Sequence, residues 1–206
     1  NLINRKNTLA DRKILVEVLK EQYSRIGRPA HSSVQQNIEL LLNENTFTVC
    51  TGHQLNLFTG PLYFIFKIVT AINLAKELKS NFPDKDFVPV YWMATEDHDF
   101  AEINHFNFKS NIKWNRESSG PVGRLSTDGL ELVFEQFSAE IGIGENADYL
   151  KSLFQKSYLE YSNLADATRY LANELFKDEG LVILDGDSIA LKKLFIPYVK
   201  KELLEQ

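Results

Sequence analysis

The strongest constraint on how this chain folds is a change of hydrophobic period along its first half. Residues 46–50 are β-branched and aromatic, as in a strand, and a loop over 51–60 leads to a helical pattern over about 61–79. Residues 87–93 are then continuously apolar, which is typical of a parallel strand covered on both faces. This order predicts a βαβ unit with a right-handed crossover. The early part of its helix is apolar nearly all round and is expected to be buried.

A third apolar segment extends this pattern towards the end of the sequence. A helix over about 163–177 precedes a strand over 181–184, and Asp187 or Ser188 then caps a last helix that Pro197 is expected to bend. Doubly wound sheets usually have about five or six parallel strands, so three are few. The predicted fold class is α/β, a Rossmann-like parallel sheet with flanking helices that is incomplete in this fragment.

Two helices are predicted before the sheet. Thr8 and Asp11 form a capping-box pattern, residues 27–29 interrupt the first helix, and the second begins at Ser32 or Ser33. Their buried faces are predicted at Leu9, Leu15, Val16, Leu19, Tyr23, Val34, Ile38, Leu41 and Leu42.

A small hairpin-like excursion is predicted after the second strand. Apolar residues alternate there, ahead of a Ser-Ser-Gly-Pro segment, at Phe106, Phe108, Ile112 and Trp114. Modest helical patterns follow. We therefore expect residues 1–105 to hold the first helices and the first βαβ of the core. Residues 106–160 are then an inserted connective segment, and 161–206 return to the core with a helix, a strand and a helix.

Composition restricts the class of protein. The chain has 206 residues, 44% hydrophobic and 12% aromatic, which suffices for a core without disulfides or metals as staples. A net charge of −5 argues against a nucleic-acid partner. No apolar run reaches the ~20 residues of a membrane-spanning helix. Cys50, the single cysteine, is expected to be a small buried residue; together with the lack of a visible signal peptide it predicts a cytoplasmic protein.

The loop after the first strand is a candidate binding site, because open α/β sheets bind ligands beyond the carboxyl ends of their strands. Gly52 and Gly60 allow a close backbone approach, and His53 and Gln54 supply donors for an anionic substrate. The alternative is a plain connecting loop in which Thr59 or Gly60 caps the helix.

Other polar residues have both a functional and a structural explanation. Lys67 is the only charge in the apolar start of the helix after this loop, one turn beyond Tyr63, and it either reaches solvent or points into the site. Asp185 could face the cleft, although turn or capping chemistry explains it and Asp187 better. His31 is expected at the surface.

The densest polar cluster follows the second strand. It comprises Glu96, Asp97, His98, Asp99, Glu102, Asn104 and His105. Carboxylates packed around a histidine can act as a general base, hold an ammonium group or bind Mg²⁺. Glu96, His98 and His105 could instead hold a transition metal, yet no zinc motif supports this, and no metal ligands are predicted. A solvated acidic turn is the alternative.

Three stretches of this sequence resemble a known family. TGHQLNLFTGPLYFIFK, VPVYWMATEDHDFAEINH and GLVILDGD together are similar to the bacillithiol biosynthesis cysteine-adding enzymes, the BshC family of cysteine ligases. The resemblance implies a Rossmann-like core with connective-peptide insertions, of which this sequence covers well under half. It also implies a later coiled coil through which the full-length protein forms a homodimer. Many members have Gln at the position of His53, whereas Gln54 matches.

The resemblance further implies a reaction and roles for the candidate residues. L-cysteine is joined to the amine of glucosaminyl malate, and Asp97, His98 and Asp99, with Glu96, orient and deprotonate that amine. The residues implied to bind the substrate are Gly52, His53, Gln54, Thr59, Gly60, Tyr63, Lys67, Asn104 and His105. Carboxylate activation implies ATP and Mg²⁺, although no phosphate loop is visible, and the fragment alone is expected to be inactive.

Two other functions stay open at this point. The acidic cluster could serve a nucleotidyltransferase-like enzyme or a metal-dependent hydrolase. Alternatively, the chain is a non-catalytic half of a larger enzyme that binds a sugar acid.

Overall fold

The computed structural model describes residues 11–26 and 31–204, so the predictions at Thr8, Leu9 and 27–29 lie outside the described residues. The helices are α1 Arg12–Ser24, α2 Ser32–Leu40, α3 Tyr63–Asn81, α4 Phe100–Ile103, α5 Leu130–Ile141, α6 Glu145–Tyr158, α7 Leu164–Phe176 and α8 Ile189–Leu204. The strands are β1 Thr46–His53, β2 Asp86–Met93, β3 His105–Asn107, β4 Asn111–Lys113 and β5 Val182–Asp185. Over these ranges, no helix is both long and apolar enough to cross a membrane.

Within the described residues, three strands form a parallel sheet in the order β1-β2-β5. β1 pairs with β2 from Thr46 opposite Asp86 to His53 opposite Met93, and β2 pairs with β5 as far as Met93 opposite Asp185. α3 packs on the two strands that it connects. The three strands therefore end together at one edge of the sheet, and the predicted α/β class is confirmed.

The predicted excursion after β2 is a two-stranded antiparallel hairpin followed by α5 and α6. In the hairpin, β3 and β4 pair Phe106 with Ile112, and the turn lies at 108–110. α5 and α6 pack through stacked rings, with Phe154 at 5.5 Å from Phe134 and 5.7 Å from Phe137 between ring centres. These aromatic contacts belong to the buried core that the segment shares with the sheet and its helices.

A buried polar network fixes α1 to the end of β5. The side-chain amide of Gln22 in α1 accepts from the backbone N–H of Asp185 at 3.1 Å and donates to its carbonyl at 2.8 Å. Arg169 of α7 is buried, and its guanidinium donates to Gln22 Oε1 at 2.8 Å and to the Ile183 carbonyl at 2.6 Å. The carboxyl end of β5 is thereby held by a helix from the other end of the chain.

Burial differs from the prediction along the β1 edge of the sheet. Phe64 and Ile68 are buried as expected. Leu62 and Phe66 are 64% and 60% exposed, and Val69 is also exposed, so the expectation that the early part of α3 is buried nearly all round is wrong. Cys50 is exposed as well, and Leu42 lies exposed beyond the end of α2. The reason is that β1 is an edge strand in the described part of the chain, which leaves one side of α3 and one face of β1 uncovered.

Element boundaries differ from the prediction by a few residues. Asp11 caps α1 by accepting a hydrogen bond from the Ile14 amide at 3.0 Å, and α2 begins at Ser32 as predicted. β1 extends to His53, so the first residues of the expected loop belong to a strand. α8 continues past Pro197.

Candidate functional site

An open cavity of about 920 Å³ lies at the carboxyl ends of β1 and β2. The site residues predicted from sequence that line it are Gly52, His53, Gln54, Gly60, Tyr63, Lys67, Asp97 and His105. The rest of its lining consists of Asn56, Pro61, Leu62, Ala94, Glu102, Phe106 and Asn107. Because the wall comes from the end of β1, the start of α3, the turn after β2 and the α4–β3 segment, only the folded chain assembles it.

Gln54 joins two carboxylates across the cavity wall. Its Nε2 lies 3.2 Å from Asp97 Oδ2 and also donates to Glu102 Oε2. Asp97 Oδ1 accepts the backbone amides of His98 at 2.7 Å and Asp99 at 3.3 Å. The hydrogen bond from Gln54, aided by these amides, lowers the pKa of Asp97 below its ordinary value. Asp97 is therefore held as a carboxylate.

Lys67 supplies a cation in the same cavity. Its Nζ donates to the Gly52 carbonyl at 2.5 Å and lies 5.2 Å from the centre of the Tyr63 ring. The backbone of β1 thus fixes the ammonium at the cavity wall. Of the two alternatives for Lys67, reaching solvent or pointing into the site, this position agrees with the second.

His53 stands at the end of β1 beside this ammonium. Its Nδ1 lies 3.1 Å from the Gln54 carbonyl, and its ring meets the Phe64 ring edge-on at 5.5 Å between centres. The pKa of His53 lies below the ordinary value for histidine. Burial is the larger cause, and the charge of Lys67 lowers the pKa further. The imidazole is consequently neutral near pH 7.

The loop from β1 to α3 has a strained backbone. Phe58 and Thr59, with φ of 49° and 68°, lie in the left-handed region, which non-glycine residues rarely occupy. Gly60 follows with φ of 57°, and a Cβ there would lie 2.4 Å from the Cβ of Asn56. The alternative in which Thr59 or Gly60 caps the helix is wrong, because Leu62 occupies the cap position of α3 and no described side chain caps that helix.

The remaining predicted residues lie around the cavity rather than in its lining. His98 and Asp99 are exposed, and the Asp99 carboxylate caps α4 by accepting the Glu102 amide at 3.2 Å. Glu96 Oε2 lies 3.3 Å from the Thr95 hydroxyl. Asn104 is buried, and its Oδ1 lies 3.1 Å from Nδ1 of His105, so that it orients a ring in the lining.

The structure adds Asn56 and Glu102 to the predicted site. The sequence places Glu102 in the acidic cluster without a role, and the signal that could have found it is Asp99 three residues earlier, a capping pattern that starts α4. The buried Asn56 donates to the Glu102 carbonyl at 3.2 Å. It has no local sequence signal, because its partner lies 46 positions away.

The side chains at the end of β5 make hydrogen bonds and ion pairs that stabilise the turn after the strand. Asp185 Oδ1 accepts hydrogen bonds from the Thr95 hydroxyl and, at 2.8 Å, from the Asp187 amide. The Asp187 carboxylate pairs with Arg124 at 2.7 Å and with Lys192. The structural interpretation of Asp185 is confirmed, whereas Asp187 forms ion pairs in place of the predicted cap. His31 is exposed, as predicted.

The described residues do not assemble a cluster of metal-ligating side chains. Over 11–26 and 31–204, no three His, Cys, Asp or Glu side chains are grouped closely enough to share a metal. Glu96, His98 and His105, the alternative metal set, do not converge. No chemical step is therefore assigned to ATP or Mg²⁺ at this cavity.

Comparison with known proteins identifies the family. The model described as "Bacillithiol biosynthesis BshC, N-terminal Rossmann-like domain" matches residues 1–206. The chain belongs to the BshC family. The Rossmann-like class predicted from the strand order is confirmed with it.

Curated relatives from several bacteria support the assignment to the BshC family. Two proteins named "Putative cysteine ligase BshC", from Flavobacterium psychrophilum and Flavobacterium johnsoniae, are 64% and 60% identical over 196 and 197 residues. These alignments cover 95% of this chain and 36% and 37% of the relatives. A protein of the same name from Bacillus cereus is 35% identical over 183 residues, which are 84% of this chain and 34% of that protein. The chain thus spans about a third of the length of the BshC relatives that it matches.

Proposed function

We propose that this chain supplies the substrate-binding site of a cysteine ligase that joins L-cysteine to the amine of glucosaminyl malate in bacillithiol biosynthesis. Membership of the BshC family supports the reaction. The observation that carries the proposal is the separation of charge in the cavity. The Gly52 carbonyl anchors Lys67, whereas Gln54 anchors Asp97 and Glu102. Among the ion pairs of the described residues, none joins Lys67 to either carboxylate.

A ligand that carries both an amine and carboxylates complements this arrangement. Glucosaminyl malate has an amine on its sugar and two carboxylates on its malate part. In the proposal, Asp97 and Glu102 hold and orient the amine, and Lys67 binds a malate carboxylate. The low pKa of Asp97 suits this role, because a carboxylate that stays ionised is a good counter-ion for an ammonium group and a weak base.

The attacking amine must lose a proton before it forms an amide. In this chain, though not in the family members with Gln at this position, His53 is a cavity residue that can take it. The imidazole lines the cavity and is held neutral, so it can accept a proton near pH 7. The predicted roles of Glu96, His98 and Asp99 in catalysis have no geometric support, because their side chains lie outside the lining. Those roles stay predictions.

Activation of the cysteine carboxylate is assigned to another part of the full-length protein. Amide formation from free acids is uphill in water, so ATP and Mg²⁺ remain part of the proposal, with their site outside the described residues. Homodimerisation of the full-length protein stays a prediction of the same kind. This chain alone is then expected to bind glucosaminyl malate without converting it.

Substitution of each charge in the full-length protein tests the proposal. Asp97→Asn and Lys67→Met are compared with Asp84→Asn, which changes an exposed aspartate paired with Lys85. Calorimetric titration with glucosaminyl malate measures affinity, and mass spectrometry detects the product after addition of cysteine, ATP and Mg²⁺. We expect each cavity variant to weaken binding by about tenfold or more, the size of a lost charge-assisted hydrogen bond. Unchanged binding and turnover in both variants would falsify the assignment of the cavity.

A further inference from the structure

The strained loop between β1 and α3 is held by contacts from outside the sheet. Left-handed backbone at two consecutive non-glycine residues, Phe58 and Thr59, persists only where the surrounding structure imposes it. The loop also leads directly into the cavity wall, since Asn56 and Gly60 on either side of these residues line the cavity. Whatever holds Phe58 therefore also sets the shape of the site.

Side chains of the inserted segment hold Phe58. Its ring centre lies 4.6 Å from that of Phe137 in α5, and 5.1 Å from that of Phe154 in α6. Its backbone amide donates to the hydroxyl of Tyr158 at 3.0 Å. Tyr158 is fully buried, so the hydroxyl that accepts this hydrogen bond is held by its surroundings.

We propose that Phe58 and Tyr158 are positioning residues, through which α5 and α6 keep the substrate-binding loop in its binding conformation. Neither residue is in the lining of the cavity, and both act through the backbone of the loop. The inserted segment is on this view part of the binding machinery as well as a connection between two parts of the core. The expected effect on substrate affinity rests on the proposed function, whereas the effect on the loop does not.

Removal of a single hydroxyl separates positioning from packing. Tyr158→Phe keeps the ring and deletes the acceptor of the Phe58 amide. Tyr161→Phe is the matched control, because the Tyr161 hydroxyl also makes a long-range hydrogen bond, at 2.9 Å to the carbonyl of Ile26, a residue outside the loop. Each variant removes a tyrosine hydroxyl that is bonded to a distant backbone group, so similar losses of stability are expected.

Two measurements on the full-length protein test the proposal. In the ligand-free protein, the rate of hydrogen exchange at the Phe58 amide is expected to rise in Tyr158→Phe and to stay unchanged in Tyr161→Phe. The dissociation constant for glucosaminyl malate, or its KM, is expected to rise by about three- to tenfold in Tyr158→Phe only, which is the range for one neutral hydrogen bond. The value of kcat is expected to change little.

The two readouts distinguish failure of this inference from failure of the proposed function. Equal exchange at Phe58 in both variants overturns the positioning role, whatever the ligand. Faster exchange at Phe58 in Tyr158→Phe, in a protein whose unmodified form does not bind glucosaminyl malate, supports the positioning role and overturns the proposed substrate. Faster exchange with equal affinity in the two variants overturns the link between loop and site.

Discussion

At the scale of single residues, the amide of Gln54 determines the charge of the cavity. A lysine or arginine between Asp97 and Glu102 would neutralise them, whereas a neutral amide donates to both and leaves their charge available. The site can therefore keep two carboxylates close together and still attract a cation. Coulomb repulsion between the carboxylates is reduced by the shared donor group.

Gln54→Leu is expected to raise the pKa of Asp97 towards its ordinary value, because the largest cause of the lowering is lost. A carboxyl group with a lowered pKa stabilises the fold above its unfolded pKa, and this contribution is lost as pH falls through the folded value. The variant should therefore lose less stability on acidification. Carbon-13 NMR titration of the carboxyl groups measures the shift, with exposed Gln36→Leu as the control. An unaltered titration of Asp97 would contradict the assigned cause.

Lys67→Met is expected to raise the pKa of His53, but not fully to the ordinary value, because burial is the larger cause and remains. A histidine with a lowered pKa stabilises the fold above its unfolded pKa, and that contribution is lost as pH falls towards the folded value. Proton NMR titration of the imidazole follows the change. Lys76→Met on the same helix removes a charge that pairs with Glu179, and it should leave the pKa of His53 unchanged. An equal rise of this pKa in Lys67→Met and Lys76→Met would contradict the role of Lys67.

At the scale of elements, the turn before α3 contains a glycine, Gly60, at which any side chain is strained and meets Asn56. Gly60→Ala is expected to destabilise the chain by about 1–3 kcal/mol more than Gly142→Ala, because both have positive φ but only Gly60 meets another atom. The unfolding free energy in urea provides the comparison. Similar losses in the two variants would show that the loop moves to accommodate the methyl group.

Much of the core can be predicted from sequence, because local periodicity and packing agree there. α3 and β2 lie within a few residues of their predicted bounds, as expected where a helix and a strand each have an apolar face to bury. The end of β1 is longer than predicted, since pairing with β2 overrides the weak strand preference of Gly52. The exposed side of α3 is likewise a property of the sheet edge, which the period of a single helix does not encode.

The site is predictable only in part, because contacts between distant segments are not encoded by local sequence patterns. Lys67 and Asp97 can be found from the sequence, because the carboxyl ends of strands and a lone charge in an apolar helix are local patterns. Glu102 and Asn56 enter the cavity through hydrogen bonds between segments 46 and 48 positions apart. Exposure of His98 depends on the direction of the turn after β2, which composition does not specify.

At the scale of the whole molecule, the buried network of Gln22 and Arg169 joins α1 to the end of the sheet. Gln22→Leu is expected to reduce the unfolding free energy by about 2–4 kcal/mol, because backbone groups of Asp185 and the guanidinium of Arg169 lose buried partners. Urea unfolding with exposed Gln35→Leu as the control measures the loss. A loss no larger than in the control would contradict the structural role of the network.

The hydrogen bond from Phe58 to Tyr158 also determines when the loop can fold during translation. The two residues lie 100 positions apart, so at about 5–20 residues per second the ribosome takes on the order of 5–20 seconds to deliver the partner of the loop. During that interval β1 and α3 can already exist, while the turn between them has no reason to adopt its left-handed backbone. In a nascent chain, the wall of the cavity is therefore completed well after the strand that carries it.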